Sequence, residues 1–211
     1  MTRKIFIHGS GHQAASWQDT LTHMACTDDI VCPNLSDLLA GRQVSYDALY
    51  AAFADYCNKT AGAVHLCGLS LGGMLALAYA LDFPQKVCTL VLIGNPHKIP
   101  KLAFGVQNLV FRFLPAAMFE AMAFDKKGTF ALGKSMKNVD FSAYLHAIQC
   151  PTLILCGEKD RANLASARFL AEHIPYAEMK VVENTGHIVN EENPAALAHL
   201  LDEFYALHDR I

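Results

Sequence analysis

Ser70 lies in the stretch of this sequence best suited to chemistry, Gly-Leu-Ser-Leu-Gly at residues 68–72. A serine hydroxyl is a weak nucleophile unless it is exposed and a neighbouring base can take its proton. The Gly-x-Ser-x-Gly pattern is typical of a strand that turns sharply into a helix with the serine at the apex. Because such a strained turn brings backbone segments close together, Gly68 and Gly72 must be small.

The residues on either side of Ser70 have the patterns that such a turn requires. An apolar run at 64–67 indicates a strand before it, and Leu71, Leu75 and Ala78 follow it at helical spacing. The turn leaves the N–H of Leu71 at the start of the helix, where it can face an oxyanion that develops on a substrate. We therefore expect Ser70 to be a nucleophile and Leu71 to supply one oxyanion donor.

A serine nucleophile needs a base and an acid that orients the base, and candidates for both follow later apolar runs. Asp160 comes after the run at 151–156. His187 comes after the run at 178–182. Open α/β sheets place their sites at the carboxyl ends of the strands, so these residues should lie at one edge. Asp160 would hold His187 in the correct tautomer, and His187 would take the Ser70 proton and return it to the leaving group.

Two other polar residues compete for the role of the acid. Glu158 is a rival carboxylate just before Asp160, although we prefer Asp160. Asn95 follows the apolar run at 87–93, where another carboxylate could have served, but an amide cannot play that role. Asp160 is therefore the predicted acid.

Apolar runs and helical patterns alternate along most of the chain. The runs predict strands at 4–8, 29–32, 64–67, 87–93, 151–156 and 178–182, and the helical spacing predicts helices at 14–26, 46–58, 71–81 and 165–173 and from 194 onwards. This alternation indicates an α/β fold, a mostly parallel sheet with helices on both sides. The alternation breaks at about 96–147, where several Pro, Phe and Met residues suggest a helical cap inserted into the fold.

The composition is that of a single compact domain, residues 1–211, and it argues against several functions. Hydrophobic residues make up 53% of the chain and charged residues only 18%, which excludes disorder. The net charge of −3 gives no basic surface for nucleic acid. No apolar run reaches the roughly 20 residues of a membrane helix. Seven cysteines without a Cys-x-x-Cys pair fit reduced thiols, so we expect a cytoplasmic protein.

Four segments spread along nearly the whole chain make it resemble the α/β-hydrolase superfamily, in its branch of small esterase-like enzymes. They are His-Gly-Ser-Gly at 8–11 with Trp17 after it, Gly-Leu-Ser-Leu-Gly-Gly at 68–73, Gly-Glu-Lys-Asp at 157–160 and Gly-His at 186–187. In that superfamily the nucleophile, acid and base follow one another in the order found here. The resemblance implies that the loop after His-Gly gives the second oxyanion donor, the N–H of Ser10, with Gly11 in reserve.

The resemblance also implies a sheet with fewer strands than usual. The superfamily usually has two strands before the His-Gly strand, whereas this chain begins with that strand at 4–8. We therefore expect an α/β-hydrolase fold that lacks the first two strands and has about six, with a short helical cap.

The predicted cap gives the sequence evidence on the substrate. Met and Phe side chains near a site suit an adaptable acyl pocket. The candidate pocket residues are Gly11, Phe104, Phe111, Met118 and Phe119. We therefore expect hydrolysis of a small-molecule acyl ester or thioester of small or medium size through an acyl-enzyme. No cofactor or metal is implied, because the chain has no His-Glu-x-x-His or paired-cysteine zinc pattern, and no feature predicts an oligomeric state.

Three alternatives stay open. Gly9, Gly11 and Ala14 fit the dinucleotide fingerprint Gly-x-Gly-x-x-Ala, but the acid that it needs after the second strand is missing, since Asp28 and Asp29 precede that strand. A carbon–carbon bond hydrolase, a lyase or an acyltransferase could use the same serine, histidine and aspartate. A non-catalytic ligand receptor could share the fold, although it need not keep a base and an acid.

Overall fold

Six parallel strands form the sheet of the computed structural model, which describes residues 2–99, 119 and 122–208. The strand order is β2-β1-β3-β4-β5-β6, and every neighbouring pair is parallel. The strands are β1 Lys4–Ile7, β2 Ile30–Val31, β3 Val64–Leu69, β4 Val87–Ile93, β5 Thr152–Gly157 and β6 Ala177–Val182. The parallel six-stranded sheet that the sequence predicts is confirmed.

Helices cover both faces of this sheet. They are α1 Gln18–His23, α2 Leu35–Leu39, α3 Tyr46–Asn58, α4 Leu71–Asp82, α5 Lys126–Met136, α6 Arg161–His173, α7 Val189–Glu192 and α8 Pro194–His208. Short 3-10 helices lie at Ala14–Trp17, Pro84–Lys86 and Leu145–Ala147. Residues of α3, α4 and α6 form the core on one face, and residues of α8 with Trp17 form the core on the other.

Alternate side chains of each strand enter the two cores. In β1, Ile5 and Ile7 lie in the core of α3 and α4, whereas Phe6 lies in the core of α8. The Phe6 ring packs edge-on against Trp17, with ring centroids 5.1 Å apart. Strand β4 is buried along almost its whole length, as expected for a strand with helices on both sides, and this explains its continuous apolar run.

Segment 14–26 forms less α-helix than its sequence pattern predicts. Its first part, Ala14–Trp17, is a 3-10 helix, and α1 follows as a short helix. The carbonyl oxygen of Ser16, which an α-helix would bond internally, accepts a hydrogen bond from Asn190 Nδ2 at 2.8 Å. A tertiary contact thus overrides helix propensity here.

Some of the other helices also differ from the predicted ones, for local reasons. Helix α6 begins at Arg161 instead of 165, because Asp160 Oδ1 accepts the N–H of Asn163 at 3.3 Å and caps the helix. Helices α2 and α7 were not predicted, because they are too short for a helical repeat to be recognised. Helix α3 and strand β4 coincide with their predicted ranges.

The described part of the predicted insertion at 96–147 includes α5, which packs against α3. The N–H of Tyr46, at the start of α3, donates to Ser135 Oγ in α5 at 2.8 Å. Leu132 and Met136 of α5 are buried in the same core as α3. This half of the segment therefore extends the core on the α3 side of the sheet.

Candidate active site

Ser70 occupies a strained turn between β3 and α4. Its φ of 52° and ψ of −111° lie in a region that a residue with a side chain adopts only when its surroundings force it. Its N–H donates to the Ile93 carbonyl oxygen at 2.8 Å, and its partly exposed side chain does not cap α4. A Cβ atom on Gly68 would lie 2.3 Å from the carbonyl carbon of Gly72, so the turn requires glycine. The predicted strand–turn–helix is present.

Asp160 and His187 form a hydrogen-bonded pair at the carboxyl edge of the sheet. Asp160 Oδ2 lies 2.7 Å from His187 Nδ1; the aspartate side chain is 4% exposed and the histidine 39%. Asn163 Nδ2 donates to both carboxylate oxygens at 3.0 Å. Burial alone would raise the pKa of Asp160, but the hydrogen bonds from His187 and Asn163 outweigh burial and hold that pKa below its ordinary value. An ionised Asp160 assigns the proton to His187 Nδ1, so the neutral imidazole has Nε2 free to act as a base.

Gly94 links this pair to the serine turn. Its φ of +56° is a conformation that glycine adopts without strain. A Cβ atom at this position would lie 3.0 Å from both Cε1 and Nδ1 of His187, so the imidazole packs directly on the Gly94 backbone. The preceding residue, Ile93, accepts the N–H of Ser70. The structure therefore brings the predicted serine, histidine and aspartate to one sheet edge.

The loop after β1 is held by the buried side chain of His8. The N–H of Leu35 donates to His8 Nε2 at 3.0 Å, so the other ring nitrogen carries the proton and donates to the Gly9 carbonyl oxygen at 2.8 Å. Burial lowers the pKa of His8, partly opposed by the Gly9 carbonyl. The neutral His8 ring, with a hydrogen bond at each of its two nitrogens, thus fixes the turn that contains Ser10. The exposed Gly11 follows in the same turn.

These features belong to a fold shared with known proteins. The model of a family described as the alpha/beta hydrolase family matches residues 5–200. The chain belongs to the alpha/beta hydrolase family.

Relatives of this hydrolase are distant in sequence. Monoacylglycerol lipase ABHD6 of Mus musculus is 22% identical over 251 residues, covering 96% of this chain and 75% of the lipase. The 3-oxoadipate enol-lactonase 2 of Acinetobacter baylyi is 24% identical over 164 residues, covering 64% of this chain and 61% of the lactonase. The structure of MGS-MChE2, an alpha/beta hydrolase from the metagenome of lagoon sediments at Mar Chica, Morocco, superposes with a TM-score of 0.77 at 21% identity, covering 99% of this chain and 93% of that one. The structural likeness supports the same fold.

Glu158, the rival acid, is engaged elsewhere in this hydrolase. Its Oε2 accepts the N–H of Asn184 at 2.9 Å, in the turn after β6. The neighbouring Lys159 Nζ donates to the Asn184 carbonyl oxygen at 2.7 Å. Both side chains therefore stabilise this turn, and the carboxylate that contacts His187 is that of Asp160.

Glu192 is a residue of the site that sequence reasoning missed. Its Oε2 accepts the N–H of Gly186 at 2.7 Å and its Oε1 accepts the N–H of Ile188 at 3.1 Å. One carboxylate thus holds the backbone on both sides of His187, and hydrogen bonds to a charged acceptor are among the stronger ones. An acidic residue soon after the histidine was visible in the sequence, but its backbone partners were not.

His12 is a second histidine close to the base. Its Nε2 lies 3.7 Å from Glu191 Oε1. Burial lowers the pKa of His12, the Glu191 carboxylate opposes this, and the nearby His187 lowers the pKa further. Together these effects favour the neutral form of His12, which carries no positive charge beside His187.

The candidate pocket residues are only partly described. Phe119 is buried, with Lys126 Nζ 5.9 Å from its ring centroid. Phe104, Phe111 and Met118 lie outside the described residues.

Neither a metal centre nor a membrane span is found in the part of the chain that the structure describes. No group of three or more His, Cys, Asp and Glu side chains there is placed to hold a metal ion. The helices of that part are not long and apolar enough to cross a membrane.

Replacing Glu192 by Ala should lower kcat for a chromogenic ester about 10–100-fold with little change in KM, because the loop that carries His187 loses both anchors. Glu183→Ala is the matched control, since Glu183 is exposed in the same loop and its side chain accepts no hydrogen bond from the described residues. Circular dichroism checks that both variants fold. Equal kcat values for the two variants would contradict the positioning role of Glu192.

Proposed function

We propose that this protein is a serine hydrolase that cleaves a small or medium acyl ester or thioester through an acyl-enzyme. The observation that carries the proposal is the 2.7 Å hydrogen bond between Asp160 and His187, at the sheet edge where Ser70 is held in a strained turn. An oriented histidine at the same edge as a partly exposed serine is the arrangement that nucleophilic acyl transfer requires.

In the proposed mechanism, Ser70 Oγ attacks the substrate carbonyl carbon while His187 Nε2 takes its proton. The Asp160 carboxylate stabilises the imidazolium that forms. His187 then gives the proton to the leaving alcohol or thiol, the bond to the leaving group breaks, and the acyl group remains on Ser70. Water attacks this acyl-enzyme with His187 again as base, which releases a carboxylic acid and restores the serine. No step requires a metal or an organic cofactor.

The oxyanion of the tetrahedral intermediate is bound, in this proposal, by the N–H groups of Leu71 and Ser10. Leu71 is the first residue of α4, so its N–H has no partner within the helix and lies at the positive end of the helix dipole. Ser10 lies in the turn that His8 fixes, so its N–H needs little reorganisation when charge develops. Preorganised donors of this kind stabilise the transition state more than the ground state.

We further propose a single domain, 1–211, whose segment 96–147 caps the site and contributes an acyl pocket. The proposed pocket is lined by Gly11, Phe104, Phe111, Met118 and Phe119. Gln13 Nε2, in the loop after Ser10, lies 3.5 Å from the carbonyl oxygen of Met122, so Met122 lies close to the proposed oxyanion loop. The two curated relatives are named as a lipase and an enol-lactonase, and both names concern ester bonds.

We infer that the protein works in a reducing compartment, the cytoplasm. All seven cysteines are free thiols. Burial raises the pKa of Cys57 and that of Cys156 to about 12, which suppresses their thiolate forms. Thiols of this kind act as small core residues and need no disulfide partner.

Chromogenic esters of graded acyl length should be hydrolysed by the wild type, with an optimum at short or medium chains set by the pocket. Ser70→Ala should lower kcat about 10⁴–10⁶-fold, because the nucleophile is lost. The control is Ser142→Ala, whose hydroxyl donates to Asp140 within its own turn. Equal rates for the two variants would exclude Ser70 as nucleophile. A wild type that is inactive on every ester would contradict ester hydrolysis. It would favour carbon–carbon bond hydrolysis, lyase chemistry or ligand binding instead.

Asp160→Asn should lower kcat by up to about 10⁴-fold, because an amide no longer selects the tautomer of His187 that leaves Nε2 free. Glu158→Gln should change kcat much less, because Glu158 bonds to Asn184 and not to the base. The measurement is kcat for both variants on the best ester of the series. If Glu158→Gln is the more damaging change, the acid is assigned wrongly.

A further inference from the structure

Among the described residues, strand β6 has a neighbouring strand on one side only and forms an open edge of the sheet. It is the last strand in the order and has six residues, whereas β2 at the opposite edge has two. An edge strand presents unpaired N–H and C=O groups that can pair with another chain. Three large hydrophobic side chains at or next to this edge are exposed: Tyr176 by 61%, Val181 by 45% and Leu207 by 73%.

A shallow groove runs beside β6 on the face that α8 covers. It has a volume of about 420 Å³, and its apolar lining includes Leu153, Phe204 and Leu207. Glu178 and Lys180 of β6 line the same groove, so both point to the α8 face. Neither forms an ion pair with another residue in the described part of the chain. The edge thus combines uncovered apolar surface with two unpaired opposite charges.

The backbone hydrogen bonds between β5 and β6 determine which residues of β6 have N–H and C=O groups that point away from the sheet, towards a second chain. The carbonyl oxygen of Tyr176 accepts the N–H of Thr152 in β5, and that of Val182 accepts the N–H of Glu158, the residue after β5. The register between β5 and β6 is unbroken. In a parallel strand, the N–H and C=O of one residue point to the same side, and this side alternates along the strand. Even-numbered residues of β6 therefore bond to β5, and the odd-numbered Met179 and Val181 point their N–H and C=O groups outward.

Two-fold symmetry restricts how a second copy can pair with this edge. A two-fold axis brings two identical strands together antiparallel, and their hydrogen-bonded pairs must consist of outward-pointing residues. Pairing centred on Met179 meets this condition and places Glu178 of each copy opposite Lys180 of the other. That pair is of the non-hydrogen-bonded type, in which side chains are closest. Pairing centred on Glu178 or on Lys180 would instead place like charges opposite each other.

We propose that β6 is a homodimer interface, in which two copies pair antiparallel about Met179 into one continuous sheet. The charge pattern favours a second copy over an unrelated partner, because Glu178 and Lys180 are complementary to themselves under this symmetry. The same pairing sets Val181 of each copy opposite the small side chain of Ala177 and places a second strand beside the groove. The inference concerns assembly and is independent of the proposed ester chemistry.

Sedimentation velocity of the whole chain from about 1 to about 100 µM measures the dimer dissociation constant of the wild type and of charge variants in β6. The wild type should dimerise. Glu178→Lys and Lys180→Glu should each raise the dimer dissociation constant at least about tenfold, because like charges then face each other at two symmetric places. The double variant Glu178→Lys/Lys180→Glu should return to the wild-type value. Lys59→Glu, an equal charge change at an exposed position after α3, should have no effect.

Three outcomes would overturn the proposal. A wild type that stays monomeric throughout this range has no such interface. A dimer that neither single variant weakens is built on another surface. A double variant that stays as weak as the single ones shows that the register about Met179 is wrong. Circular dichroism of each variant separates loss of the dimer from loss of the fold.

Discussion

The hydrogen bond between Asp160 and His187 joins two loops whose residues are 27 positions apart, and the proposed chemistry depends on it. It forms because β5 and β6 are parallel neighbours that end at the same sheet edge. The carboxylate is buried, bonded by Asn163 and kept ionised, so the histidine it holds has one defined tautomer. Removing His187 would cost the buried carboxylate one of its hydrogen bonds, and a hydrogen bond to a charged group contributes about 1.5–3 kcal/mol.

The backbone of Ser70, at the same sheet edge as this pair, is strained. A side chain at positive φ costs of the order of 1–3 kcal/mol and persists only where the surrounding structure determines it. Here β4 holds the Ser70 N–H through Ile93, and Gly68 and Gly72 allow the close approach that the turn needs. The next residue of that strand end, Gly94, carries the imidazole of His187 on its backbone. One strand end therefore contacts both Ser70 and His187.

The parallel sheet and the serine turn could be predicted because each produces a short-range pattern in the sequence. A buried strand needs a continuous apolar run, and a strained serine needs small neighbours. The family order of acid and histidine also points to residues after particular strands. Helix α3 was predicted in full because its apolar side chains recur at helical spacing.

What the sequence could not predict depends on contacts between distant residues. The segment 14–26 forms less α-helix than predicted because Asn190, far along the chain, donates a hydrogen bond to the Ser16 carbonyl oxygen. Glu192 was missed because its partners are backbone N–H groups, and the sequence does not show which backbone groups a side chain will contact. Asn163 could have been suspected from its spacing after Asp160, since a cap and its first turn are local.

Whether Ser70 forms a covalent intermediate can be tested by active-site labelling. The protein is treated with a fluorophosphonate, which reacts covalently with an activated serine, and is then digested and analysed by mass spectrometry. We expect the phosphonyl group on Ser70 and a fall in ester hydrolysis in proportion to labelling. Label on another residue that explains the loss of activity, or full activity with no label on the protein after treatment, would show that Ser70 is not the nucleophile.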